Sequence, residues 1–110
     1  MSDTPFSPMR TAALDENIVD VVEQPCSIGT LHATNTGASP IYLHLFNGAA
    51  GGQSINAPAY VIPIGATSST AENLGRMRFP DGLSMAITAT EGVADAPSST
   101  PRVSLGRGAV

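Results

Sequence analysis

The sequence predicts a single all-β domain, a small β-sandwich or jelly roll of six to eight short antiparallel strands. Three observations predict it. Short runs rich in Ile, Val, Leu and aromatic residues recur about every 10 to 15 residues. Clusters of Gly, Pro, Asn and Ser punctuate those runs. No apolar pattern keeps a helical period for more than about one turn. The domain is expected over residues 17–106, with an extended N-terminal arm at 1–16 and a C-terminal tail at 107–110.

The arm, MSDTPFSPMRTAALDE, contains Pro5 and Pro8, which favour extended backbone, and Phe6 and Met9, which have no periodic apolar neighbours. It reads either as a frayed terminus or as an arm that docks on a neighbouring subunit through Phe6, Met9 and Arg10. NIVDVVE (17–23) is β-branched and ends at Gln24-Pro25. CSIGTLHATN (26–35) continues as a strand. Ile28 and Leu31 have opposite parity with Gly29 between them, which predicts a bulge. Asn35 to Pro40 reads as a turn cluster, and one arrangement it allows is a hairpin of the flanking strands about residue 38.

IYLHLFN (41–47) places Ile41, Leu43 and Leu45 on one face and Tyr42, His44 and Phe46 on the other. NGAAGGQ (47–53) is a glycine-rich loop. AYVIPI (59–64) carries Pro63, which makes it an edge or bulged strand. GATSSTAE (65–72) reads as a polar loop, with Ser69 and Glu72 at the spacing of a capping box for one helical turn. NLGRMRF (73–79) alternates, with Gly75, Met77 and Phe79 opposed to Leu74, Arg76 and Arg78. Phe79-Pro80-Asp81-Gly82 is a strong turn. LSMAITAT (83–90) alternates strictly, and RVSLG (102–106) supplies a last strand with Val103 and Leu105 inward.

Composition narrows the function. The chain has 110 residues and a net charge of −4 at pH 7, with five arginines and no lysine. The arginines are scattered in sequence, so nucleic acid and acidic membranes are not expected partners. No apolar run reaches the roughly 18 residues of a membrane span, and the N-terminus lacks the apolar core of a signal peptide. Leu, Ile, Val and Phe together number 24, a thin supply for an independent core. Neighbouring subunits are therefore expected to supplement it.

The residues capable of chemistry form no convincing constellation. If strands 26–35 and 41–47 form a hairpin about residue 38, His32 and His44 face each other across it, but a zinc site needs a third protein ligand. Cys26, the one cysteine, lies in QPCSIG, which resembles no protease signature, and it reads as a structural thiol. There is no Gly-x-Ser-x-Gly elbow, and NGAAGGQ lacks the Lys-Ser/Thr of a phosphate loop. Asp15, Glu16, Asp20 and Glu23 form a solvated or partner-facing acidic group. Arg76 and Arg78 read either as ordinary surface arginines or as charged interface contacts. The chain is expected to be no enzyme and to need no cofactor or metal.

At PIYLHLFNGA, PAYVIPIG and RFPDGLSMAITATEG the chain resembles small virion structural proteins of tailed bacteriophages. The shared pattern is an aromatic-Leu-x-Leu-aromatic strand, an Ile-Pro-centred strand, and Phe-x-x-Gly-Leu leading into a Met-Ala-Ile-Thr strand. Here these are Tyr42–Phe46, Val61–Ile64, Phe79–Leu83 and Met85–Thr88. The resemblance covers roughly residues 30–92 and neither terminus. It implies a compact β-domain in the virion, assembled in the bacterial cytoplasm, with no catalytic residues. The expected role is capsid decoration (cement) on the outer head surface. Its expected partners are the major capsid protein and copies of itself. A tail, neck or fibre adaptor or receptor-binding module is the alternative.

Overall fold

Eight strands form two four-stranded antiparallel sheets in the computed structural model, which describes residues 7–11, 14–97 and 102–108. In chain order they are β1 (Ser7–Thr11), β2 (Val19–Val22), β3 (Cys26–Asn35), β4 (Ile41–Asn47), β5 (Tyr60–Ile64), β6 (Ser68–Phe79), β7 (Leu83–Thr88) and β8 (Arg102–Gly108). Among the described residues the one helical piece is a 3-10 turn, Ala50–Gly52, inside the glycine-rich loop. Sheet 1 runs β1-β8-β3-β6 and sheet 2 runs β2-β7-β4-β5. The β-sandwich is therefore present as the periodicity predicts.

The core lies between the sheets. Ile28, Leu31 and Phe79 come down from sheet 1 onto Ile41, Leu43, Leu45, Ile62, Ile64, Met85 and Ile87 of sheet 2. Period-2 alternation puts these residues on the inner faces. All six residues of β7 are buried, because β7 is an inner strand and its outer face is also covered. β5 is an edge strand with Pro63 exposed, as the missing N–H requires. The Phe79 turn closes with Gly82 N–H donating to the Phe79 carbonyl at 3.1 Å. Gly82 has φ of 98°, and a Cβ there would stand 2.7 Å from the Val22 carbonyl oxygen. Only glycine fits that position.

Four expectations change. The hairpin about residue 38 does not form: β3 pairs with β6 and β8, while β4 pairs with β5 and β7 in the other sheet. Asn35 explains the crossing. Its amide donates to the carbonyls of Ser39 (2.8 Å) and Gly65 (3.1 Å), and its Oδ1 accepts from Gly37 N–H (2.9 Å), which shapes a bridge between sheets. Residues 68–72 are strand rather than loop or helical turn. Their ladder with Leu31–Asn35, joined by a 3.1 Å contact between Thr34 and Ser69 hydroxyls, overrides a weak local turn signal.

The alternation of β6 also breaks. The bulge predicted at Gly29 is real, with the register shifting between Ile28 and Thr30. Opposite it, Gly75 and Arg76 take φ of 59° and 63°, and the extra residues rotate Leu74 onto the core side with Met77 and Phe79. Last, the N-terminal segment is not wholly an arm. Ser7–Thr11 joins sheet 1 beside β8, and Leu14 is buried in the core. Likewise β8 extends to Gly108, past the expected start of the tail.

Candidate functional site

The expected interface residues fall on the two edges of sheet 1. Met9 and Arg10 sit on β1, in register with Leu105 and Ser104. Arg76 and Arg78 are exposed on β6, the far edge, with Arg78 in register with Ser27. Two inner strands separate the edges, so the groups lie about 14 Å apart across the sheet. They share a sheet but make no single cluster. Phe6 lies outside the described residues.

The two histidines part company. His32 is exposed on sheet 1, in register with Ala71 and Ser104, whereas His44 is fully buried on the outer face of sheet 2. The facing pair imagined for a metal is thus absent, because β3 and β4 occupy different sheets. No group of three or more potential metal ligands occurs among the described residues. Cys26 is buried at the start of β3.

The outer face of sheet 2 holds a second packed layer that the sequence does not announce. His44 stacks on Phe46 with ring centroids 6.3 Å apart, and Ser84, Ala86 and Thr88 beside them are sealed from solvent. Ser84 donates its hydroxyl hydrogen to the Gly48 carbonyl at 2.9 Å, fixing the glycine-rich loop. The loop after β7 covers the other side, and Gly92 N–H donates to His44 Nε2 at 3.0 Å. A backbone amide only donates, so Nε2 is unprotonated and the ring proton is on Nδ1, which donates to the Tyr42 carbonyl at 3.1 Å. Burial pushes the His44 pKa below its ordinary value, against the opposing pull of the Tyr42 and Ala86 backbone and the Glu91 charge.

Asp95 ties the same loop. Its carboxylate accepts from the Thr90 hydroxyl (2.7 Å), Thr90 N–H (3.0 Å) and Ala89 N–H (3.1 Å). The Thr90 hydroxyl bond leads in holding the Asp95 pKa below its ordinary value. At the opposite end of sheet 2, Asp20, Glu23 and Asp81 line a notch of about 150 Å³ with Val22, Gly48 and Ala49. Asp20 Oδ1 accepts from Ala50 N–H at 2.8 Å, so the notch is built onto the glycine-rich loop.

Large exposed apolar side chains among the described residues are Val19, Tyr60 and Val93, on β2, β5 and the loop after β7. Among the described residues the buried apolar side chains form one cluster between the two sheets.

No family model matches the chain, and no curated protein does. A solved structure from work on disulfide-linked pili of Bacillus endospore appendages aligns over 100% of this chain and 95% of that one. The identity is 12% and the TM-score 0.37, a likeness that carries no argument about fold or function.

Proposed function

We propose that this chain is a structural protein of a tailed-phage virion that decorates the assembled head, binding its outer surface across capsid subunits. One observation carries the reading. The segments that resemble phage virion proteins, Tyr42–Phe46, Val61–Ile64 and Met85–Thr88, are β4, β5 and β7, three hydrogen-bonded neighbours of sheet 2, with Phe79–Leu83 as the turn that leads in. A pattern scattered over 47 residues of sequence, Tyr42 to Thr88, is thus one contiguous structural unit. A small sealed sandwich with arginines on one sheet also suits a repeated, polar docking role.

The mechanism is linkage. A protein that binds the assembled shell and not its dissociated subunits stabilises the shell, and many copies multiply the effect. Phe6, Met9, Arg10, Arg76 and Arg78 are the proposed contacts. The major capsid protein and further copies of the chain are the proposed partners.

The test is co-sedimentation of the purified chain with phage heads lacking it, together with a copy count in intact virions. Saturable binding at hundreds of copies per particle supports decoration. A handful of copies per particle indicates the neck, tail or fibre instead, and no association with particles overturns the reading. Because Ser7–Thr11 is part of sheet 1, the contact test removes residues 1–6 only and pairs that deletion with Arg76→Ala/Arg78→Ala.

A further inference from the structure

Charge is scattered along the sequence but sorted by the fold. All five arginines lie on strands of sheet 1: Arg10 on β1, Arg76 and Arg78 on β6, Arg102 and Arg107 on β8. The strands of that sheet carry one carboxylate, Glu72. The remaining described carboxylates belong to sheet 2 and its flanks. Asp15 and Glu16 precede β2, and the Asp15 carbonyl accepts from Ile87 N–H of β7 at 2.8 Å. Asp20 is on β2 and Glu23 follows it. Asp81 contacts Asn47 of β4 at 3.3 Å, and Glu91 and Asp95 are in the loop over His44.

The arginines span their sheet. Arg10 is in register with Ser104, which is in register with exposed His32; Arg102 is in register with Thr34; Arg78 is in register with Ser27; Arg107 is instead in register with the core residue Ile28 and is not counted in the docking face. The acidic side has its own open edge. β2 is the outermost strand of sheet 2, with Val19 38% exposed beside exposed Asp20.

We propose that the chain associates with copies of itself head to tail, the arginine-bearing sheet 1 of one copy docking against the acidic β2 side of sheet 2 of the next. The two surfaces differ in sign, so each copy offers one of each and the contact is heterologous, closing into a ring or continuing as a row. An isologous contact of either surface with itself sets like charges together and is disfavoured. Val19 supplies an apolar point inside the acidic surface. This inference deepens the self-association in the proposed function and names its geometry.

The experiment is sedimentation equilibrium of the full chain at 50 and 500 mM NaCl, with two charge-swapped variants. Arg78→Glu/Arg102→Glu reverses sheet 1, and Glu16→Lys/Glu23→Lys reverses the β2 side. Wild type is expected to associate at low salt and to weaken about tenfold or more at high salt. Each variant alone is expected to be monomeric, and an equimolar mixture is expected to associate, because the reversed surfaces then complement each other. Restoration on mixing also shows that neither variant was merely misfolded. The inference is overturned if wild type stays monomeric at low salt up to about 1 mM, if either double variant associates like wild type, or if mixing restores nothing. A monomer that still binds phage heads refutes this inference alone. An oligomer that ignores heads refutes the proposed function alone.

Discussion

Lowering the pH should loosen this domain through His44. The ring is sealed from solvent, and its Nε2 accepts from Gly92 N–H at 3.0 Å. Protonation converts that acceptor into a donor facing a donor, and it places a positive charge in the layer over sheet 2. The folded-state pKa lies below the ordinary value of about 6.5 because burial disfavours the charged ring. The unfolded chain therefore binds the proton first. The contribution of neutral His44 is fully present above about pH 6.5 and is lost as pH falls below it. One group costs at most about 1.4 kcal/mol per pH unit in that window. For a domain of 110 residues each kcal/mol lowers Tm by about 4 °C. The assay is thermal unfolding from pH 7.5 to 5.0 for wild type, His44→Gln and His32→Gln. Wild type and His32→Gln should fall together, while His44→Gln, already less stable at pH 7.5, should fall less. Equal slopes in wild type and His44→Gln would refute the reasoning.

Three further outcomes follow from particular contacts. Asp95→Asn weakens the acceptor of the Ala89 and Thr90 amides and should speed their hydrogen exchange while leaving the β4 amides protected; unchanged exchange at Ala89 and Thr90 contradicts the anchor. In wild type the same loosening should appear in acid, as the Asp95 carboxylate is protonated below its ordinary range. Gly82→Ala forces a Cβ to 2.7 Å from the Val22 carbonyl oxygen at φ of 98°, and urea unfolding should show a loss of at least about 1 kcal/mol. Phe46→Ala empties the outer layer of sheet 2 and should cost about 3 to 5 kcal/mol by the same measurement; a loss below 1 kcal/mol means that layer is not packed.

Strands whose signal is local were legible in the sequence. IYLHLFN and CSIGTLHATN are strands over their full predicted lengths, and the bulge at Gly29 followed from a parity change. Pairing was not legible where a long-range partner decided it. Ser68–Glu72 is polar and turn-like alone and becomes a strand only against Leu31–Asn35. The hairpin allowed about residue 38 failed because Asn35 spends its amide on Ser39 and Gly65, and nothing in a one-dimensional pattern names Gly65 as a partner. The candidate site suffered most. Arginines from position 10 to position 107 share a sheet only because the first and last strands pair. His44 gave a faint signal, its place among the aromatics of β4, but its Gly92 partner lies 48 residues away.

The pairing of β1 with β8 fixes how the polypeptide enters and leaves. Ser7 stands opposite Arg107, so the start of β1 and the end of β8 lie at one corner of sheet 1. Joining Gly108 to Ser7 with a short linker, with residues 1–6 and 109–110 removed, should yield a circular permutant, since such permutations are tolerated where the joined strand ends are adjacent. Passenger sequences fused directly before Ser7 or after Gly108 should be presented at one pole, and on an ordered array they would all point the same way.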